Sequence, residues 1–341
     1  MTQSSDAIVP LGAIRFNSDS RRLEYWMGSA WMQTTNFSPN LDGGARGLIG
    51  SRYHTAYLNI VDFITISTQG NATDFGDDTN GFYGQAGGAS NTRAIYAGGS
   101  NPSTGNSNEM RFATFASTGN FADFGDLTTG RRGNGSISNQ TRFVIGGGYD
   151  GSNYTNIIDF VTIASTGNAV DFGDAVDPTA NMGGVNSPTR GVFCNGDSPG
   201  VNTLQFITIA TLGDAQDFGD SPVPKSETFC ASSATRGVNM GGVFPSPEAQ
   251  TSSIAFFTIA TLGDSQNFGD LTANRQHAAG LGDTIRGVCA GGVGPGGSGS
   301  INTIDYINIA TQGDAVDFGD LTQSGWNADG AGVSNGHGGL G

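Results

Sequence analysis

Charge is the first thing this sequence has little of. Only 13% of its 341 residues are Asp, Glu, Lys or Arg, and within that set the acids outnumber the bases 30 to 15, a formal net charge of −15. Nucleic-acid affinity rests on clustered Lys and Arg that release counterions from phosphates, so no nucleic-acid partner is expected. Three cysteines, Cys194, Cys230 and Cys289, are an odd number without metal-like spacing. Two sit inside apolar strand patterns, and they read as small buried hydrophobes. His54, His277 and His337 lie in different parts of the chain, and the glutamates Glu24, Glu109, Glu227 and Glu248 are scattered. No helix is evident and no nucleophile elbow occurs in a strand-to-helix setting, so neither a hydrolytic triad nor a catalytic carboxylate pair is motivated. No apolar run approaches the ~20 residues of a membrane span, and Met1–Leu11 has no basic segment leading into an apolar one. Neither membrane insertion nor a secretion signal is expected.

What the chain has is glycine, 56 of them, and a repeat. Copies of one stretch, typified by Ile304-Asp305-Tyr306-Ile307-Asn308-Ile309-Ala310-Thr311-Gln312-Gly313-Asp314, end in Phe-Gly-Asp at Phe75, Phe124, Phe172, Phe218, Phe268 and Phe318. A fixed period of about fifty residues marks a propeller or a solenoid. Each unit divides into strands. Strand B opens on an arginine (Arg46, Arg93, Arg142, Arg190, Arg236, Arg286) and closes on small residues. Strand C is apolar on both alternating faces, which means burial on both sides. A Gly-Asn or Gly-Asp pair, such as Gly70-Asn71 or Gly313-Asp314, fits a type II′ hairpin turn leading into strand D with its Phe-Gly-Asp ending. A weaker, glycine-rich strand A precedes each later B. Six B-C-D sets have only five A strands between them, and Asp329–Ser334 near the C-terminus matches the A pattern. Pairing of that segment with the first unit would remove the open edges. The expected fold is therefore all-β: a six-bladed β-propeller over residues 46–341, closed by the C-terminal strand, after a segment 1–45 that comprises an arm, a small β-meander and a linker.

In the meander, Ile14 and Phe16 alternate with polar neighbours, Asn17–Ser20 supply turn chemistry, Leu23 and Tyr25 resume the alternation, and a short strand surrounds Trp31. Two or three short strands bury too little to stand alone, so Ile14, Phe16, Tyr25, Trp26 and Trp31 are expected to anchor the segment on a partner surface.

The chemistry of the repeat reads as structural. Asp-Phe-Gly spells a kinase metal motif, but no glycine-rich loop, strand lysine or His-Arg-Asp segment accompanies it. Asp77, Asp126, Asp174, Asp220, Asp270 and Asp320, which follow Phe-Gly, match the six strand-B arginines in number, and an Arg/Asp pair in each unit is expected. Calcium would need a dense Asp-x-Asp-x-Asp loop, which is absent, so no metal and no cofactor is expected. Recognition is expected on the variable B-C and D-A loops, which share one face. The candidates are Tyr149, Tyr154, Phe244, Arg131, Arg132, Arg275, His277 and Trp326, whose aromatic and polar groups suit a carbohydrate or a protein neighbour.

The glycine doublets closing strand B resemble kelch-type β-propellers, although the Tyr and Trp positions of that repeat are missing. The Thr-Ile-Ala-x-x-Gly-Asn-Ala-x-Asp-Phe-Gly-Asp repeats, together with Gly12-Ala13-Ile14-Arg15-Phe16-Asn17 and Leu23-Glu24-Tyr25-Trp26 ahead of Trp31, resemble structural proteins of tailed bacteriophages, particularly those of marine hosts. The segment Gly12–Trp31 is similar to β-modules of phage tail fibres. This resemblance implies a non-enzymatic virion protein made in the host cytoplasm, a tail fibre or tail-associated adhesion protein, with head decoration as the alternative and a glycan-active enzyme as a further one. It implies other virion proteins and a host-surface glycan as partners, and a homo-oligomer on the virion.

Overall fold

Six four-stranded antiparallel sheets make up most of the protein, each with its strands in the order A-B-C-D. The computed structural model describes residues 9–17, 22–33, 45–197, 201–245, 248–326 and 332–340. The chain divides into two compact units, Met1–Leu41 and Asp42–Gly341. The first contains a three-stranded antiparallel meander, Ile14–Asn17, Arg22–Trp26 and Trp31–Gln33. Its register pairs Ile14 with Tyr25, and Trp26 with Trp31. On one face the Trp26 and Trp31 rings lie 5.5 Å apart, and the Arg15 guanidinium sits 4.1 Å over Trp31 while bonded to Glu24. Ile14 and Phe16 are exposed on the other face. The expected arm, residues 1–8, and linker, residues 34–44, lie outside the described residues.

In the second unit the C-terminal strand Gly332–Ser334 pairs with the first strand B, Arg46–Ile49, with Val333 opposite Leu48. The first sheet is thus built from both ends of the unit; Asp329–Ala331 lie outside the described residues. Side-chain packing runs from sheet to sheet. Leu48, Val61 and Phe75 of the first sheet join Ala94, Phe115 and Phe121 of the second, and so on through the chain. The last such cluster brings Ile304 and Phe318 of the sixth sheet against Ile49, Ile64 and Ile66 of the first.

The Phe-Gly-Asp ending is a β-bulge. Val61 pairs with Gly76 and Asp62 with Asp74, leaving Phe75 as the extra residue. The same shift recurs between strands C and D of the other five sheets. An extra residue bends the strand and re-aims a side chain, and here it turns Phe75 into the core, 2% exposed. Gly76 adopts φ +148, and a Cβ there would lie 2.5 Å from the carbonyl oxygen of Gly119 in the next sheet. Glycine is required because the neighbour's C-D connection lies directly on the bulge. Gly119 N–H donates to Phe75 O, Phe121 N–H to Asp77 O, and Asp77 N–H to Asn120 Oδ1. The sixth sheet repeats this against the first: Gly70 N–H donates to Phe318 O and Asp320 N–H to Asn71 Oδ1. The expected type II′ turn is therefore corrected. Gly70 has φ +151, far from the +60 region of such a turn, and the chain reverses earlier, where Thr68 N–H meets Thr65 O. The Gly-Asn pair is instead the contact with the preceding sheet.

The expected Arg/Asp pairs are also corrected. Among the described residues, no ion pair joins Arg46, Arg93, Arg142, Arg190, Arg236 or Arg286 to Asp77, Asp126, Asp174, Asp220, Asp270 or Asp320. Each arginine donates to a backbone carbonyl at the end of strand C in the following sheet: Arg46 to Phe115 O, Arg93 to Ile163 O, Arg142 to Ile209 O, Arg190 to Ile259 O, Arg236 to Ile309 O and Arg286 to Ile66 O. Each also lies over an aromatic ring of its own strand C, as Arg142 does at 4.7 Å from the Phe160 centroid. The six aspartates instead offer backbone groups to the next C-D connection.

The buried carboxylates are elsewhere, on strand C. Asp159 accepts from Arg131 Nη1 at 2.9 Å and from Thr128 Oγ, and Asp305 accepts from Arg275 and Thr272 in the same way. Asp62 does so with Arg52 and Thr322. In the second sheet the charges are exchanged: Arg111 is on the strand and Asp78 in the loop, with Gln85 accepting from Arg111 as well. Arg131 and Arg275, expected on the recognition face, are buried in these pairs. Desolvation lowers the Arg131 pKa, opposed by the adjoining Asp159 carboxylate.

Candidate functional site

Each strand A lies against the strands A of two other sheets, so what precedes or follows them is gathered at two ends. At the preceding end, isolated bridges pair the residue three places before strand A with the B-C loop of the same sheet, Tyr83 with Ser100, Arg132 with Tyr149, Ser226 with Val243 and Gln276 with Val293, and Trp326, six places before its strand A, pairs likewise with Tyr53. These bridges bring together positions whose residue type differs from unit to unit.

Trp326 is the centre of that group. Its ring lies 5.1 Å from Tyr83, 5.2 Å from Tyr53 and 5.2 Å from His277. His277 Nε2 meets Glu227 Oε2 at 3.0 Å. Arg132 lies over both Tyr83 and Tyr149 and donates to Asn106 Oδ1 at 3.3 Å. Asn181 donates to Asp197, whose carboxyl pKa is raised chiefly by burial, with the neighbouring Glu227 acting in the same direction and hydrogen bonds from Ser226 and Asn181 opposing. Tyr83, Arg132, Asn181, His277 and Trp326 line an open cup of about 190 Å³.

The opposite end is shut. After strand A of the first sheet the chain turns inward. Asn335 exchanges bonds with the backbone of Arg46, and Asn91 Nδ2 donates to Asn335 O. His337 Nε2 donates to Ala89 O at 2.9 Å, and its Nδ1 accepts the Gly339 N–H at 3.1 Å. Gly338 lies so close to Asn186 O that a Cβ would come within 2.8 Å. The backbone bond to Nδ1 fixes the neutral tautomer, and burial pushes the imidazole pKa down to about 4. Between the ends, glycine and serine of the strands A leave only about 50 Å³.

Of the sequence-based candidates, the structure therefore brings Arg132, His277, Trp326, Tyr149 and Tyr154 to one end; the last two rings are 5.8 Å apart. Arg131 and Arg275 are withdrawn into buried pairs, and Phe244 sits on a separate hairpin, Val243–Pro245 with Glu248–Gln250. Tyr53, Tyr83, Asn181, Asp197 and Glu227 were not singled out. Their available signal was position: Asn181, Glu227 and His277 occupy the place that is Gly84 and Gly133 in the other units. Among the described residues no cluster of three or more His, Cys, Asp or Glu is arranged to hold a metal ion. No protein-family model matches the chain, and no curated protein is detectably similar to it.

Proposed function

We propose that the six sheets are the blades of a closed, kelch-like β-propeller, and that the protein is a non-enzymatic tail-fibre or tail-associated adhesion protein of a tailed-phage virion. Support for closure comes from the contacts of the sixth sheet with the first, which repeat those between all other neighbours, and from the shared first sheet. The observation that carries the adhesion reading is the asymmetry of the two ends. One is filled by backbone and His337; the other presents aromatic and polar side chains on loops held by a rigid scaffold. The N-terminal meander is the anchor in this reading, by its resemblance to tail-fibre modules. Immunogold labelling of virions with antibody to residues 42–341 tests it: label at the tail is expected, label on the capsid would favour head decoration, and unlabelled virions would overturn the assignment.

A glycan-active enzyme is the second reading, because Asp197 has a raised pKa beside Glu227. Both carboxylates already have partners in Asn181 and His277, which favours a binding role. No reducing ends should be released from host-surface polysaccharide. Release that is abolished in Asp197→Asn would reverse this conclusion.

A further inference from the structure

Backbone amides link the positions ahead of successive strands A: Gly133 N–H donates to Gly84 O, Asn181 N–H to Gly133 O, and Glu227 N–H to Asn181 O. The four positions so linked, Gly84, Gly133, Asn181 and Glu227, and the equivalent His277, all lie in the left-handed region, with φ between 55 and 70. Glycine meets that requirement without strain, and two units use it. Three units instead carry side chains there, against the steric preference of L-residues. Strained positions of this kind gather where function demands a side chain; Asn181 and His277 line the cup with Trp326, and Glu227 is bonded to His277.

We propose that this cup binds the terminal pyranose ring of an uncharged glycan, a ligand class that rests on the adhesion reading above. The ligand must be amphipathic: Trp326 and Tyr83 offer flat apolar faces, while Asn181, His277 and Arg132 offer polar groups around the edge, with Glu227 holding His277 from behind. A sugar ring has that division, with C–H groups on its faces and hydroxyls on its periphery. Size agrees, since about 190 Å³ is below the ~300 Å³ at which pockets for drug-sized ligands begin, room for one ring rather than a chain. Charge selects further. Glu227 and Asp197 stand behind the lining, bonded to His277 and Asn181, in a protein of net charge −15, which disfavours a carboxylated or sulfated sugar. The sealed opposite end leaves one direction of approach, so the ligand is a chain terminus.

The full-length protein would be applied to an array of neutral hexopyranosides, N-acetylhexosamines, and sialylated and sulfated glycans. At least one neutral terminal sugar should bind. Trp326→Ala and Glu227→Gln should each weaken binding tenfold or more, while the remote surface change Leu262→Ala should not alter it. Glu227→Gln is isosteric and keeps the test valid if Trp326→Ala fails to fold. Binding to acidic glycans alone, to none, or equally by both cup variants would overturn the inference. Competition with virions for host-cell adsorption separates the two claims. Competition without any neutral-sugar binding leaves adhesion standing and removes the sugar, whereas sugar binding without competition does the reverse.

Discussion

Individual buried ionisable groups set where this protein gains and loses stability. His337 is neutral in the fold, where burial pushes its pKa down to about 4 from the ordinary 6.5. Because the folded value is the lower one, the unfolded chain binds the proton first as pH falls. The contribution is complete above pH ~6.5 and is lost between there and pH ~4, amounting to about 3 kcal/mol. Thermal melts across that window should show a steeper decline for the natural protein than for His337→Gln. Lys225 occupies the place of Arg131 and Arg275, but strand C of its sheet has Ala255 where theirs have Asp159 and Asp305. Among the described residues its amine reaches Ser253 alone, at 3.4 Å from the carbonyl and 3.5 Å from the hydroxyl, and burial lowers its pKa to about 8. At pH 7 the amine is charged in both folded and unfolded states but is desolvated only in the fold, so Lys225→Met should raise Tm at pH 7, by up to about 3 kcal/mol of stability; an unchanged or lower Tm would count against this. Asp159→Asn should act oppositely. It leaves Arg131 buried without a carboxylate and should cost about 3–5 kcal/mol in denaturant titration.

At the scale of the element, the bulge and the hairpin that covers it form the recurring joint. Phe75 is core because the bulge turns it inward, and Gly76 is glycine because Gly119 lies on it. Gly76→Ala combines a disfavoured φ with a backbone clash and should destabilise by about 2 kcal/mol or more, read as a lowered denaturation midpoint. An alanine at Gly105, which has positive φ but open space around its Cβ position, is the comparison that isolates the clash. The strand-B arginines bridge the same pairs of neighbouring sheets from an interior strand. Lysine is a poor substitute there, because it lacks the planar fork that bonds a carbonyl while lying over an aromatic ring.

For the molecule as a whole, the contacts between sheets matter more than any one of them. The segment after Ser334 touches strand A, the A-B turn or the start of strand B in each of the first five sheets. Removing residues 335–341 should therefore lower Tm and expose the strands A to solvent, seen as faster hydrogen exchange in Ala86–Ala89 and Gly183–Asn186. Exchange confined to the first sheet would mean that the segment stabilises only the strand it follows.

Much of this was legible because it is local. Strand periodicity, the arginine opening each strand B and the count that left one strand A for the C-terminus all follow from alternation and turn chemistry within a unit, and Val333 pairs with Leu48 as that count requires. Partners across units were not legible. Arg286 bonds Ile66 O from 220 residues away, and a repeat shows that an arginine is needed without showing whether a carboxylate or a carbonyl receives it. The cup depends on still less regular information: Asn181, Glu227, His277 and Trp326 belong to different units and share no local motif. The sequence by itself determined the strands, their order and the unit that lacked one. Only the tertiary structure decided which charges are buried, which end is sealed and which side chains meet, because those depend on the spatial superposition of distant repeats rather than on the pattern within any of them.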